Sequence, residues 1–240
     1  MSRPVQIPGL SNVRDLGGMS TPDGPVRDGV IFRADAPIRL PEAGGVALRG
    51  LGLAKVIDLR EPIERRHDPA DTERMNGNWG ALCQLPLFDG AIDLRELRDL
   101  DSLYRDAIDG CGERFVTVLG EIRDPDGTPA LVHCSAGKDR TGLVVALLLE
   151  AIGTSRDEVV ADYAMTAQQM AGPAIKAVQQ RALRAGIPEQ HLAQALGSPP
   201  EVMVATLDHV DERYGGAAAY LIAHGAEPSA IDELGARLVV

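Results

Sequence analysis

Ala130-Leu131-Val132-His133-Cys134-Ser135-Ala136-Gly137-Lys138-Asp139-Arg140-Thr141-Gly142 joins two apolar runs through a short polar loop. Ala130 to Val132 follows the turn-rich Asp124-Pro125-Asp126-Gly127 and reads as a buried strand, while Leu143 to Ile152 reads as a buried helix. In such a unit the loop amides and the helix N-terminus favour an anion at the loop's centre. The same field acts on a cysteine at the start of the loop. Helix N-termini and nearby cations depress a thiol from about 8.5 into roughly 3.5–7.5, so Cys134 is expected to be a thiolate at neutral pH. Arg140, in the first helical turn, can present a planar fork to two oxygens of a bound oxyanion. Gly137 and Gly142 permit turns and close approach that a Cβ would obstruct.

Cys134 and Arg140, five residues between them, with His133 before and Thr141-Gly142 after, resemble the signature of cysteine-dependent protein tyrosine phosphatases. Lys138-Asp139 narrows the likeness to the bacterial tyrosine and phosphoinositide phosphatase family, whose loop reads H-C-x-x-G-K-D-R-T/A-G. Two further segments resemble that family: Asn12-Val13-Arg14-Asp15-Leu16-Gly17-Gly18 followed by Ile31-Phe32-Arg33-Ala34-Asp35, and Asp58-Leu59-Arg60 with Glu64. Together they span about the first two thirds of the chain. The resemblance implies phosphate monoester hydrolysis through a phosphocysteine. Phosphotyrosine is the leading substrate, with phosphoserine, phosphothreonine and phosphoinositides as further candidates. The phosphate would lie on Ser135, Ala136, Gly137, Lys138, Asp139, Arg140 and Thr141. Neither a metal nor a cofactor is expected, because Arg140 and the loop supply the positive charge.

Composition sets limits. The 240 residues suffice for a substantial core, as one domain or one domain with an appended helical region. Cys83, Cys111 and Cys134 show neither paired nor metal-like spacing, which suits a reducing compartment. Met1 to Leu10 does not read as a secretory signal, so a cytoplasmic location is expected, with secretion by a route needing no such signal left open. The longest apolar run is far short of the roughly 18 residues that span a membrane. A net charge of −11 argues against a nucleic-acid partner. Phosphate binding needs positive potential only within one cleft.

Strand candidates at Val30–Phe32, Ala54–Leu59, Leu82–Leu87 and Ala130–His133 alternate with helical stretches at Pro41–Leu51, Leu94–Ile108 and Glu113–Ile122. The alternation predicts an α/β fold, a mainly parallel central sheet flanked by helices. Cys134, Asp58 and Asp89 fall at or just after strand ends, where such sheets bind ligands. Beyond Gly153 the pattern is helical throughout. Ser155-x-x-Glu158 and Ser198-x-x-Glu201 read as capping boxes, and Gly153, Gly186, Gly197 and Gly215 read as stops. The expected organisation is a single domain, 1–170 as the α/β catalytic core and 171–240 as a helical region available to cover the site. A soft boundary falls at Ala171-Gly172-Pro173.

Ester cleavage also requires an acid for the leaving oxygen, whose conjugate base then activates water. Asp89, in Leu85-Pro86-Leu87-Phe88-Asp89-Gly90, is one candidate, the resemblance implying an aspartate on a corresponding Pro-containing loop. The competing reading is a solvated turn residue. Asp139 is the other candidate, and repulsion from a phosphate dianion would favour its acid form. Its competing reading is a structural carboxylate that orients Arg140 or neighbouring amides. Thr141 is read either as a donor to the Cys134 sulfur or as a helix cap, and Lys138 either as a contact for a second phosphate or as a solvated charge. His133 is expected to buttress the loop. Asp58, Arg60 and Glu64 are expected to form an ion-pair group holding the loop or Arg140, and Asn12, Arg14 and Asp15 to be architectural. Tyr163, Met165 and Met170 have core spacing, and His191, His209 and His224 lack ligand spacing. Two other activities remain open: a rhodanese-like sulfurtransferase, which has no need of Lys138-Asp139 or Arg140, and a catalytically silent phosphate or phosphoinositide binding module.

Overall fold

A computed structural model describes residues 2–71, 80–92, 99–170 and 197–240, together with 175–176, 179–180 and 183. Four strands lie parallel: β5 (Ile31–Ala34), β6 (Lys55–Asp58), β7 (Ala81–Gln84) and β8 (Ala130–His133). Two short strands, β1 (Arg3–Pro4) and β2 (Arg14–Asp15), extend the sheet antiparallel, giving the order β1-β2-β5-β8-β6-β7. A separate ribbon pairs β3 (Ser20–Thr21) with β4 (Gly24–Pro25). All four expected strands are present, β8 at its expected bounds and the other three with shifted ends. β5 runs on to Ala34, and β7 stops at Gln84, two residues before Pro86, which has no N–H for a ladder.

β8 is flanked on both sides and buried throughout, which accounts for its unbroken Ala-Leu-Val. Its register sets His133 opposite both Ala34 and Asp58, so the chain leaves three neighbouring strands at one edge. Side chains alternate between two faces. Phe32, Val56 and Leu131 face one cluster with Leu40, Leu48 and Leu53, under α1 (Glu42–Arg49). Ile31, Ile57 and Val132 face the larger cluster. That side carries α3 (Leu100–Gly110), α4 (Gly112–Arg123), α5 (Asp139–Ala151) and α6 (Arg156–Gln169), and also α7 (Pro200–Tyr214), α8 (Ala217–Ala223) and α9 (Ser229–Leu238). α5 is buried from Arg140 to Leu149, as a helix apolar on every side must be. Met203, Leu207, Tyr220, Leu221 and Leu238 of α7 to α9 join the same cluster. No helix of the described residues is long and apolar enough to cross a membrane.

Some local readings change. A short helix, α2 (Pro62–His67), follows β6 where only an ion-pair group was expected. Ser155 does cap α6, accepting from Glu158 N, but the Glu158 carboxylate accepts from Ser20 N rather than completing a box. Ser198 is not a cap. Pro199 holds that position, and the Ser198 hydroxyl donates to Ala164 O and accepts from Ala167 N, fastening α7 to α6. Gly153 and Gly215 end helices as read, both with φ near +85° to +88°. Tyr163 and Met170 are buried and Met165 only partly so. Leu94, Ala171-Gly172-Pro173, Gly186 and His191 lie outside the described residues.

A buried ionic cluster ties the sheet to α6. Arg14 Nε donates to Asp162 Oδ1 (3.0 Å), Arg33 pairs with Asp162 Oδ2, and Ser2 Oγ donates to Oδ1 (2.5 Å). Arg14 Nη2 reaches Asp162 O and Thr166 Oγ1 as well. Burial pushes the Asp162 carboxyl up, but the Arg33 and Arg14 guanidiniums outweigh it and hold it at about 2. Asp162→Asn leaves two buried cations without an anion and should cost about 3–5 kcal/mol in denaturant unfolding. The carboxyl titrates lower in the folded chain than the ~3.9 of the unfolded one, so its contribution is present above about pH 4 and is lost as pH falls toward 2. The deficit of the variant should shrink over that interval. A loss under about 1 kcal/mol at pH 7 would show that the cluster does not hold the fold.

Candidate active site

The loop between β8 and α5 keeps its carbonyls turned outward. Cys134 O lies 3.2 Å from His133 Nδ1, and Ala36 N donates to Ser135 O (3.2 Å). Asn12 Nδ2 donates to Ala136 O (3.0 Å) and Gly137 O (3.1 Å), and Arg33 Nη2 donates to Gly137 O (2.7 Å). The N–H groups of Ala136, Gly137 and Lys138 have no acceptor among the described residues. These amides are therefore left as donors near Cys134, which is 2% exposed, at the N-terminus of α5. Gly137 is required here. Its φ is +65°, and a Cβ would lie 2.2 Å from Ala34 O.

Arg140 is aimed by α2. Its Nη1 and Nη2 donate to Glu64 Oε2 (2.5 Å) and Oε1 (2.8 Å), and Ser135 Oγ also donates to Oε1 (2.5 Å). Nη1 further reaches Leu59 O at 3.4 Å, and the guanidinium lies over the Phe88 ring. Its Nε has no acceptor among the described residues, so the Nε/Nη2 edge retains donors for a second partner. Burial pushes Glu64 up, but the charge and hydrogen bonds of Arg140, with the Ser135 hydroxyl and Glu61 N–H, bring it down to about 2. Burial tends to lower Arg140, and Glu64 more than offsets this and raises it. Asp58 accepts from Arg60 Nε and Nη2, while Arg60 Nη1 holds Asp68 O (2.8 Å). His133 sits 3.9 Å from Asp58 Oδ1. Its burial, with Arg60 and Arg140 nearby, lowers its pKa against the pull of Asp58, so the ring is neutral and serves as a brace.

The remaining candidates separate. Lys138 is 2% exposed, and its Nζ donates to Gly197 O (2.8 Å) and pairs with Asp139 Oδ1 (2.8 Å), so it is not a solvated charge. Asp139 Oδ1 also accepts from Tyr104 Oη (2.8 Å), and Tyr104 is linked to Tyr163 Oη (2.9 Å). Thr141 Oγ1 is buried without a hydrogen-bond partner and reaches neither the Cys134 sulfur nor a helix amide among the described residues. Asp89 follows Phe88, whose N donates to Glu61 Oε1 (3.1 Å). Its own side chain is 43% exposed and pairs with Arg114 at the surface. Asn12, Arg14 and Asp15 are architectural, Asp15 accepting from Gly17 N and Gly29 N. His209 pairs with Asp109, and His224 Nδ1 lies 2.8 Å from Tyr220 O.

Tyr104 and Asp162 were missed from sequence, yet each left a trace. Val159, Asp162, Tyr163 and Thr166 share one helical face, so Asp162 is a carboxylate in a core stripe. Tyr104 lies in the stripe of Leu100, Leu103, Ala107 and Ile108, where its ring looks like packing and its hydroxyl goes unnoticed.

The family model described as "Tyrosine phosphatase family" matches residues 5–240. The chain is 31% identical over 274 residues to the "Triple specificity protein phosphatase PtpB" of Mycobacterium tuberculosis, covering 95% of this chain and 96% of that protein. It is 30% identical over 223 residues to a "Tyrosine-protein phosphatase" of Nostoc commune, covering 83% and 71%. A crystal structure of P. aeruginosa TpbA in complex with pTyr aligns with a TM-score of 0.46 at 14% identity, over 94% of this chain and 96% of that one. Since the family match runs through the loop and through the N-terminal and α6 segments that clamp it, the chain belongs to the tyrosine phosphatase family.

Proposed function

We propose that this phosphatase works through a phosphocysteine on Cys134. The observation that carries the reading is the outward tethering of the carbonyls of residues 134 to 137, which leaves loop amides to receive a phosphate beside the sulfur. The thiolate attacks phosphorus in line, the bond to the leaving oxygen breaks, and the Nε/Nη2 edge of Arg140 takes two equatorial oxygens. Charge that grows on those oxygens is stabilised without reorganisation, because Glu64 fixes the guanidinium beforehand. Water then breaks the S–P bond, releasing phosphate and restoring the thiolate.

Asp139 is the better-supported acid. Its carboxylate is held by Tyr104 and Lys138 inside the loop itself, whereas Asp89 sits at the surface with Arg114. Positioning of this kind is what proton transfer in a transition state demands. We take the organisation to be one phosphatase domain, 1–170 with the helical region 171–240, in the cytoplasm. The substrate range is proposed to begin with phosphotyrosine and to extend to phosphoserine, phosphothreonine and phosphoinositides. The name of the M. tuberculosis relative, a triple specificity phosphatase, supports a range wider than one residue type. Phosphopeptides and phosphoinositides assayed side by side would delimit it.

Cys134→Ser should lower turnover of p-nitrophenyl phosphate by more than about a thousandfold while phosphate binding persists, and unchanged turnover would refute the mechanism. Asp139→Asn should lower kcat about 100-fold on phenyl phosphate, a poor leaving group, and much less on p-nitrophenyl phosphate. Selective loss in Asp89→Asn instead would move the acid to that loop. Glu64→Gln should cost roughly 10–100-fold in kcat/KM by freeing the Arg140 fork, and a loss under about twofold would show that the fork is aimed by other contacts.

A further inference from the structure

Two buried phenols lie behind the loop, and the mechanism above uses only the contact of one of them, Tyr104, with Asp139. Tyr104 comes from α3 and Tyr163 from α6; they are 0% and 1% exposed, and their rings meet edge to face with centroids 6.0 Å apart. Their hydroxyls are 2.9 Å apart, and Tyr104 Oη is 2.8 Å from Asp139 Oδ1. A phenol carries one proton. With the Tyr104 proton given to the carboxylate, the proton between the two phenols must come from Tyr163. The chain therefore has one direction, Tyr163 to Tyr104 to Asp139. Burial, with the Asp139 charge nearby, pushes both phenols up, so they stay protonated donors across the working range.

Lys138 Nζ also falls on Oδ1, at 2.8 Å, and Oδ2 accepts no hydrogen bond among the described residues. Two donors on one oxygen leave that oxygen little room for a proton of its own. We infer that the Tyr163–Tyr104 hydroxyl pair is a positioning device for the reaction: it saturates Asp139 Oδ1 and thereby assigns the transferable proton to Oδ2, in a fixed orientation. When Oδ2 gives its proton to the leaving oxygen, the negative charge that remains is met at Oδ1 by the Tyr104 hydroxyl and Lys138. When water attacks the phosphocysteine, Oδ2 takes a proton back from it. Tyr104 and Tyr163 touch no reacting atom.

The inference rests on Asp139 being the acid, and the test separates the two ideas. Tyr104→Phe keeps the ring and deletes the donor. It should lower kcat on phenyl phosphate by about 10–30-fold and on p-nitrophenyl phosphate by less than about threefold, with KM unchanged. Tyr163→Phe should show the same selectivity at smaller amplitude, which guards against a misfolded Tyr104 variant. In an Asp139→Asn background, Tyr104→Phe should add less than about twofold, because the group it positions is gone. Selective loss in Asp139→Asn with equal loss on both substrates in Tyr104→Phe overturns the inference and leaves the acid assignment standing. No selective loss in Asp139→Asn overturns both.

Discussion

A loop of five residues can receive a phosphate through its amides only while its carbonyls are held away from the anion, because each carbonyl that turned inward would set negative charge against negative charge. Asn12 and Arg33 supply that hold, meeting Ala136 O and Gly137 O from behind. Arg33 is buried, so it in turn needs an anion, and Asp162 of α6 is that anion. A buried carboxylate facing two guanidiniums gains from neither cation alone what desolvation costs it; the cluster is favourable as a set of hydrogen bonds with fixed geometry. The geometry of the loop is thus maintained by a pair of residues more than 120 positions apart in sequence, one in a strand and one in a helix.

The same logic reconciles an acidic chain with the phosphate proposed for its loop. The net charge is −11, yet the cations nearest the loop are all met by carboxylates: Arg140 by Glu64 with Glu61 at 3.9 Å, Lys138 by Asp139, and Arg33 by Asp162, which Arg14 shares. Pairing fixes the cations in place without exhausting their donors. Arg140 gives two nitrogens to Glu64 and keeps its Nε edge, and the loop amides add positive potential that carries no formal charge. Local potential is set by oriented dipoles and donor edges, and a formal charge count is a poor guide to it.

How far the site was legible follows from the range of each interaction. Cys134 begins the loop and Arg140 stands in the first turn of α5, and the loop's residues between two unbroken apolar runs, with their likeness to the phosphatase signature, located both. The alternation of strands with helical stretches predicted the parallel sheet, whose inner strands are buried on both faces and so read as continuous runs. Asp58, Arg60 and Glu64 were legible as a group that holds the loop or Arg140, but that Glu64 is the member that meets Arg140 was not, because it depends on α2 turning the chain back across the sheet edge. Pro62 at the start of that helix was the available cue. Ser198 misled for a related reason. A serine before a proline and a glutamate fits a cap, yet a buried hydroxyl with two backbone partners on α6 is worth more there than a solvated cap. Tertiary contact overrode a local rule.

Lys138 shows what the loop gains from being tied to the rest of the chain. Its ammonium is buried, and it bridges Asp139 to Gly197 O, the backbone just ahead of α7. α7 is fastened to α6 through Ser198, and α6 carries both Asp162 and Tyr163. The carbonyl clamp, through Asp162, and the phenol chain, through Tyr163, therefore both lean on α6, although Tyr104 itself comes from α3. A shift of α6 would move the cradle, through Arg33, and the loop aspartate, through Tyr104, together. Cys134's surroundings and the candidate acid keep their mutual distance because they share that support, which a loop of five residues could not provide for itself.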